Sequence, residues 1–425
     1  RGLIWIGAND GPVHVTKNGG KNWSEVTPSG LLGGGRVDSV EPSPHNKAKA
    51  YVSVLRYQLG DWKPYIYKTT DYGESWQLLT SGKNGIPANY PTRVVREDPV
   101  KEGFLYAGTE YGMFISLNDG KSWESFQQNL PVTPITDIKV FRGDLVLSTM
   151  GRGFWIIDNV NSIHEKNMIK SGDHLFEVAN TYRFRYRGSR KNSIPNYPES
   201  SVIVDYYLNN SSENNISLNI LNDKNELVYS VTSAKVDTSK KITDMGTGFS
   251  REVSGSSLSN DKGTNRFRWN MRHSGSWDKD PKKAFLNGPL VAPGTYVAQI
   301  NIEGKIYTDK FKILLDPNVE KSGIRIKNVK AQEKLALQVR SLLDESKIMA
   351  HKLKDVEDGP MLVIKKALIT NEGPSPQPML IDQARYLGSM LDRSDQQPGD
   401  DAYSRFEELN EQFESLKKSY NQLND

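Results

Sequence analysis

The chain contains no cysteine. Disulfides, thiolate metal sites and cysteine nucleophiles are therefore excluded. A secreted animal protein of 425 residues usually carries cystines, whereas a bacterial secreted protein need not. Also lacking is any apolar run of about 18 residues, so no helical membrane span is expected. Neither sign of charge dominates: 55 basic residues face 51 acidic ones, for a formal charge of +4. That balance offers nucleic acid no basic footprint, and Lys235, Lys240 and Lys241 read as solvated surface charge. The six histidines (His14, His45, His164, His174, His273 and His351) are scattered without ligand spacing, so no metal is expected. No phosphate loop, dinucleotide fingerprint or nucleophile elbow appears, and no cofactor is expected. No signal peptide is visible. Because Arg1-Gly-Leu-Ile-Trp-Ile-Gly7 reads as a strand, Arg1 is expected to be an internal point of a longer precursor.

What the sequence does have is a repeat. Thr16-Lys-Asn-Gly-Gly-Lys-Asn-Trp23, Thr69-Thr-Asp-Tyr-Gly-Glu-Ser-Trp76 and Ser116-Leu-Asn-Asp-Gly-Lys-Ser-Trp123 share one pattern: Ser/Thr-x-Asp/Asn-x-Gly-x-Ser/Thr/Asn-Trp. Each residue type has a physical reason. Asn18, Asp71 and Asn118 carry short acceptors for turn N–H groups. Gly20, Gly73 and Gly120 permit the positive φ of a tight hairpin. Trp23, Trp76 and Trp123 start the next strand and bury a large ring. The motif therefore reads as a hairpin-former, not as a catalytic aspartate. It is the Asp-box of the bacterial neuraminidase repeat, and its recurrence has the period of a β-propeller blade.

Strands fall around the motifs. Segments 36–40, 49–55, 65–69 and 75–80 make one four-stranded unit, and 92–96, 104–108, 112–116 and 122–127 make another. The unit before Trp23 lacks its innermost strand. The unit with 135–141, 145–148 and 154–158 lacks its outer one. Residues 1–160 are thus expected to be a partial propeller of about four blades, two of them incomplete. The missing blades are expected from an N-terminal half of the precursor or from another chain.

Leu3-Ile-Trp-Ile-Gly-Ala-Asn-Asp-Gly11, Lys63-Pro-Tyr-Ile-Tyr-Lys-Thr-Thr-Asp-Tyr-Gly73, Arg93-Val-Val-Arg-Glu-Asp-Pro99, Thr149-Met-Gly-Arg-Gly-Phe-Trp-Ile-Ile-Asp158 and Pro293-Gly-Thr-Tyr296 carry a family resemblance. The chain resembles the C-terminal part of large bacterial Asp-box proteins of the sortilin-type or glycosyl-hydrolase-like propeller class. The resemblance implies a propeller followed by a β-sandwich and a helical tail. It supplies no activity, because the hydrolase label rests on the repeat.

Residues 159–173 read as a linker. Segments 201–207, 216–221, 227–232, 265–270, 294–302 and 305–314 alternate as strands, and within 161–318 they suggest an immunoglobulin-like β-sandwich. The 274–289 loop, with Trp277 and Phe285, reads as a packing loop. Segments 326–356, 379–391 and 400–423 have helical spacing, so 319–425 reads as a small bundle of about three helices. The fold class is mainly β with a C-terminal α region.

A site is expected where the loops between second and third strands converge, on the face opposite the motifs. Asp10, Arg56, Asp61, Glu110, Tyr111 and Arg152 would line one polar mouth suited to a glycan or protein ligand. The preferred function is an interaction or ligand-binding platform, and the location is secreted, periplasmic or cell-surface in a bacterium. The alternative is a glycoside hydrolase, sialidase-like or other, with two of these carboxylates as its acid and base.

Overall fold

The computed structural model describes residues 2–185, 200–213, 216–233, 242–243, 250–251, 257–280, 283 and 286–424. Lys235, Lys240, Lys241 and Phe285 lie outside them. The chain is mainly β, with mostly antiparallel sheets and C-terminal helices, and it divides into two compact units, Arg1–His164 and Glu165–Asp425.

The first unit is four antiparallel sheets in chain order. They are β1 (Ile4–Gly7), β2 (Val13–Thr16) and β3 (Ser24–Glu25); β4 (Arg36–Pro42), β5 (Ala50–Leu55), β6 (Ile66–Thr69) and β7 (Gln77–Leu78); β8 (Thr92–Glu97), β9 (Leu105–Thr109), β10 (Gly112–Ser116) and β11 (Glu124–Ser125); and β12 (Ile135–Phe141), β13 (Asp144–Thr149) and β14 (Phe154–Ile157). The two middle sheets have four strands, and the first and fourth have three. The outer strands β7 and β11 are shorter than expected. Their edges nevertheless run on, since Leu79 N–H donates to the Ile66 carbonyl and Phe126 N–H to that of Met113.

Period-two side chains explain the stacking. In the middle sheets both faces are covered, so β5, β9 and β10 are buried throughout. Tyr51 and Leu105 face the core between the second and third sheets, while Val52 faces the first sheet and Tyr106 the fourth. In the first and fourth sheets only one face is covered. Trp5 is buried between exposed Ile4 and Ile6, and Phe154 and Ile156 are exposed on β14.

The three motifs fold alike. The Thr16, Thr69 and Ser116 hydroxyls accept the N–H of Gly20, Gly73 and Gly120 at 3.0, 2.9 and 2.9 Å. Asn18, Asp71 and Asn118 accept the N–H of Asn22, Ser75 and Ser122 at 3.0, 2.9 and 2.9 Å. The Asp71 carboxyl, exposed but held by Ser75 and Thr69, drops to about 2. The motif tryptophans reach back one sheet: Trp76 Nε1 donates to Val26 at 2.7 Å and Trp123 Nε1 to Leu79 at 3.1 Å. The motif glycines make the same approach, because a Cβ on Gly73 would strike Val26 and one on Gly120 would strike Leu79. For the first motif no described sheet stands there, and Trp23 is 40 % exposed against 3 % for Trp123.

Charged groups tie the second and third sheets together at the motif end. Lys49 Nζ lies 2.8 Å from buried Glu97, and Tyr51 and Lys68 donate to Asp119 at 2.7 and 2.9 Å. Asp98 starts the adjoining turn. It accepts from Tyr106 at 2.7 Å and from the N–H groups of Val100 and Lys101 at 2.8 and 2.9 Å, and it meets His164 Nε2 at 2.7 Å. Residues 160–164, expected to begin a linker, instead pack on this unit. Val160 and Ile163 fill the core of the third and fourth sheets, and Asn161–His164 forms helix α1.

In the second unit β15 (His174–Leu175), β17 (Val202–Leu208) and β22 (Gly263–Trp269) form one sheet. β16 (Thr181–Arg183), β24 (Lys305–Leu315), β23 (Gly294–Ile302), β18 (Ser217–Asn222) and β19 (Leu227–Thr232) form another. β20 (Ile242–Thr243) and β21 (Ser250–Arg251) pair separately. The two larger sheets share one apolar core in which Phe267 and Trp269 point inward, while Arg266 reaches sideways to Asp205 at 2.7 Å. Helices follow: α2 (Pro317–Lys321), α3 (Ile326–Lys352), α4 (Gly359–Leu368), α5 (Leu380–Leu391) and α6 (Asp400–Asn424), the last four around a common core. α4 is additional to the three expected helices. It has ten residues, too few for a clear periodic signal beside Gly359-Pro360. Ser276 and Trp277, from the expected 274–289 loop, pack on α3: Trp277 N–H donates to Asp344, the Trp277 ring meets His351, and Lys347 donates to Ser276 at 3.0 Å.

Candidate functional site

The β1–β2 loop of the first sheet and the β5–β6 and β9–β10 loops of the second and third lie at the sheet ends opposite the motif turns. In the second sheet this loop begins at Arg56, which is buried. Its Nε donates to Asp61 at 3.0 Å, and its Nη1 donates to the carbonyls of Leu32 at 2.7 Å, Gly33 at 3.1 Å and Gly34. Asp61 also accepts the Tyr65 hydroxyl at 2.8 Å. Burial alone would raise the Asp61 carboxyl, but the bonds from Tyr65 and Arg56 outweigh it and hold the group below the usual carboxylate range. The clamped 32–34 loop borders Asp10, which is exposed beside a shallow hollow of about 210 Å³.

In the third sheet, Glu110 lies 2.6 Å from Arg93 Nη2, an ion pair without hydrogen-bond alignment. Arg93 also approaches Asp38 at 3.6 Å, and Asp38 accepts from Arg36 at 3.0 Å. The Arg36 guanidinium is raised chiefly by its bond to Asp38, against burial, with smaller fields from Tyr57 and Glu110. Asp38 thus joins Arg36 of the second sheet to Arg93 of the third. Exposed Tyr111 leans on Tyr90 at 4.8 Å between ring centres, and exposed Trp62 leans on Tyr57 at 5.8 Å.

In the fourth sheet, Met150 N–H donates to the Pro134 carbonyl at 2.9 Å, just as Glu110 N–H donates to Pro91 at 3.0 Å in the third. The 150–153 turn thus occupies the corresponding end. Arg152 is exposed there and makes no ion pair among the described residues.

Of the six expected mouth residues, Asp10, Arg56 and Asp61 meet around the 32–34 loop, and Glu110 and Tyr111 meet around Arg93 and Tyr90. Arg56 differs from expectation. Its head group is spent on backbone carbonyls and Asp61, so it holds the 32–34 loop and is not a free contact. Sequence reading missed Arg36, Asp38 and Arg93, which lie in first strands and not in loops. Trp62 and Tyr57 were legible only as members of a long loop. Among the described residues no cluster of His, Asp and Glu could hold a metal, and no helix is long and apolar enough to cross a membrane.

No family model and no curated protein matches the chain. Solved structures similar to parts of it include YCF48 bound to D1 peptide, at 15% identity and TM-score 0.28 over 55% of this chain and 64% of that one. Another is the GH74 xyloglucanase from Xanthomonas campestris, at 11% identity and TM-score 0.31 over 74% and 44%. A third is the Niastella koreensis GH74 enzyme, at 12% identity and TM-score 0.28 over 73% and 52%. The chain spans less than two thirds of each of these proteins. Scores this low assign it neither their activity nor their ligands.

Proposed function

We propose that residues 1–160 are consecutive blades of an Asp-box β-propeller, that 161–318 hold an immunoglobulin-like sandwich, and that 319–425 form a helical bundle. In this reading the protein is an extracellular or cell-envelope binding platform. Its ligand surface is the mouth formed by Asp10, Asp61, Trp62, Glu110, Tyr111 and Arg152. The first and fourth sheets accept further blades, from the precursor or from another chain.

The observation that carries the binding reading is the division of labour at the mouth. The partly buried ion pairs Arg56–Asp61 and Arg93–Glu110 are scaffold; Trp62 and Tyr111 stand exposed next to them in sequence, and Arg152 is exposed at the corresponding end of the fourth sheet. Exposed amphipathic rings and an exposed guanidinium at the same ends of their sheets suit a polar ligand such as a glycan or peptide segment. A glycosidase needs one carboxylic acid kept protonated. Asp61 is instead held ionised by Tyr65 and Arg56, and Glu110 faces a guanidinium.

Immobilised glycan and peptide arrays test this with wild type and with Trp62→Ala, Tyr111→Ala and Arg152→Ala. Each variant should melt like wild type and bind any retained ligand at least about tenfold more weakly. Arg56→Ala should lower the melting temperature, because it strips partners from buried carbonyls. Unchanged binding in all three surface variants would remove the mouth as the site. Polysaccharide hydrolysis that disappears in Asp61→Asn would instead favour the glycosidase.

A further inference from the structure

In the second unit, a cavity of about 270 Å³ lies between α3, α5 and the 286–290 segment. Among the described residues five arginines line it (Arg183, Arg185, Arg272, Arg340 and Arg385), facing two lining carboxylates, Glu333 and Asp392. Much of this charge is committed. Arg185 donates to the Asp392 side chain at 2.8 Å and lies 2.5 Å from Asp395, Arg272 donates to Asp392 at 2.9 Å, and Arg385 pairs with Asp382. Glu333 is taken by His273 at 2.7 Å.

The remainder is only partly committed: Arg340 Nη1 donates to the Ser274 carbonyl at 3.1 Å. Arg183 is 1 % exposed, and its Nη1 lies 2.7 Å from Asp395 without hydrogen-bond alignment. Its Nε and the buried Nε of Arg340 have no partner among the described residues. Gln332 faces the same cavity. Its amide nitrogen donates to the carbonyls of Leu391 and Ser394, both at 2.6 Å, which fixes the amide and leaves its buried oxygen as an unused acceptor. A network serving only to join helices to sheet would close its donors, since each unpaired buried group is costly. Burial pulls the Arg183 guanidinium down to about 10, still cationic at neutral pH, so the cavity keeps an incompletely compensated charge.

We infer that this cavity binds a small ligand through an oxyanion group, a carboxylate or a phosphate, held by Arg183 and Arg340. Planar guanidinium forks match both oxyanions in geometry and charge. The Gln332 oxygen would take a hydroxyl or amine hydrogen on the same ligand. The site is independent of the mouth on the first unit.

Titration calorimetry of the whole chain tests the inference with inorganic phosphate and with succinate at matched ionic strength. Wild type should bind one equivalent of at least one of them, saturably, at a Kd of about 1 mM or tighter. The tighter probe identifies the oxyanion. Arg340→Gln should weaken that binding at least about tenfold while the melting curve without ligand stays cooperative. Should Arg340→Gln fail to fold, Arg340→Lys, which loses the planar fork, takes its place with the same expected weakening, and Arg405→Gln, which does not line the cavity, should bind like wild type. Absence of saturable heat from both probes in wild type, or equal binding by wild type and the cavity variant, overturns the inference.

Discussion

At the scale of single residues, the motif hydroxyls matter more than the pattern suggests. The consensus draws the eye to Asn18, Asp71 and Asn118, yet the buried contact is made by the Ser/Thr two positions earlier. Ser116 is 1 % exposed, and its hydroxyl is the acceptor for the buried Gly120 N–H. Ser116→Ala should therefore cost about 1–3 kcal/mol, the penalty of an unpaired buried donor, read as a lowered urea midpoint of the first unit. A Ser116→Ala variant with an unchanged midpoint would show that water replaces the hydroxyl. The positive φ of Gly73 and Gly120 was legible from residue type. The positive φ of Tyr72 and Asp119 just before them was not, because an x in a consensus conceals a left-handed residue. Asp119 pairs with Tyr51 and Lys68, a contact of long sequence separation that no local pattern encodes.

At the scale of elements, the long strands of the first unit fall where alternation and the repeat placed them, since both signals are local. What escaped was whatever depends on a partner. The 160–164 segment looks like polar linker, but Val160 and Ile163 find an apolar core and His164 finds Asp98. That Asp98 turn carries a pH dependence. Burial pushes its carboxyl upward, but the bonds from His164, Lys101, Tyr106 and Val100 outweigh burial and hold it below the ordinary range. A depressed carboxyl contributes stability above its unfolded pKa of about 3.9 and loses it as pH falls through the lower folded value. Amide exchange in the 98–106 turn should therefore accelerate as pH drops below about 4, beyond the intrinsic trend. In Asp98→Asn it should be faster at neutral pH and show a shallower acid dependence. Parallel acid dependences in the two proteins would assign the low-pH loss to other carboxyls.

At the scale of the whole molecule, the placement of loops at the sheet ends was half legible. Topology alone put Asp10, Asp61, Glu110, Tyr111 and Arg152 on sheet ends opposite the motifs. Which of them are free and which are scaffold depends on Arg36, Asp38, Arg93 and the 32–34 loop, which no spacing rule connects. The same holds for the arginine cavity, whose members come from strand, loop and helix more than 150 positions apart in the numbering of Arg183 and Arg340. The stacking logic of the first unit was more legible, because the motif tryptophan is a repeated device for holding each sheet to the one before it. This device is filled at Trp76 and Trp123 and open at Trp23, where the proposed further blade would dock. Hydroxyl-radical footprinting of the chain, read by mass spectrometry, tests that proposal. Trp23 and the outward-facing Phe154 should oxidise much faster than Trp123 and Phe114, and Trp23, but not Phe154 on the fourth sheet, should become protected when the chain is joined or mixed with a preceding sheet of the same motif. Equal, slow oxidation of Trp23 and Trp123 in the monomeric chain would contradict the claim.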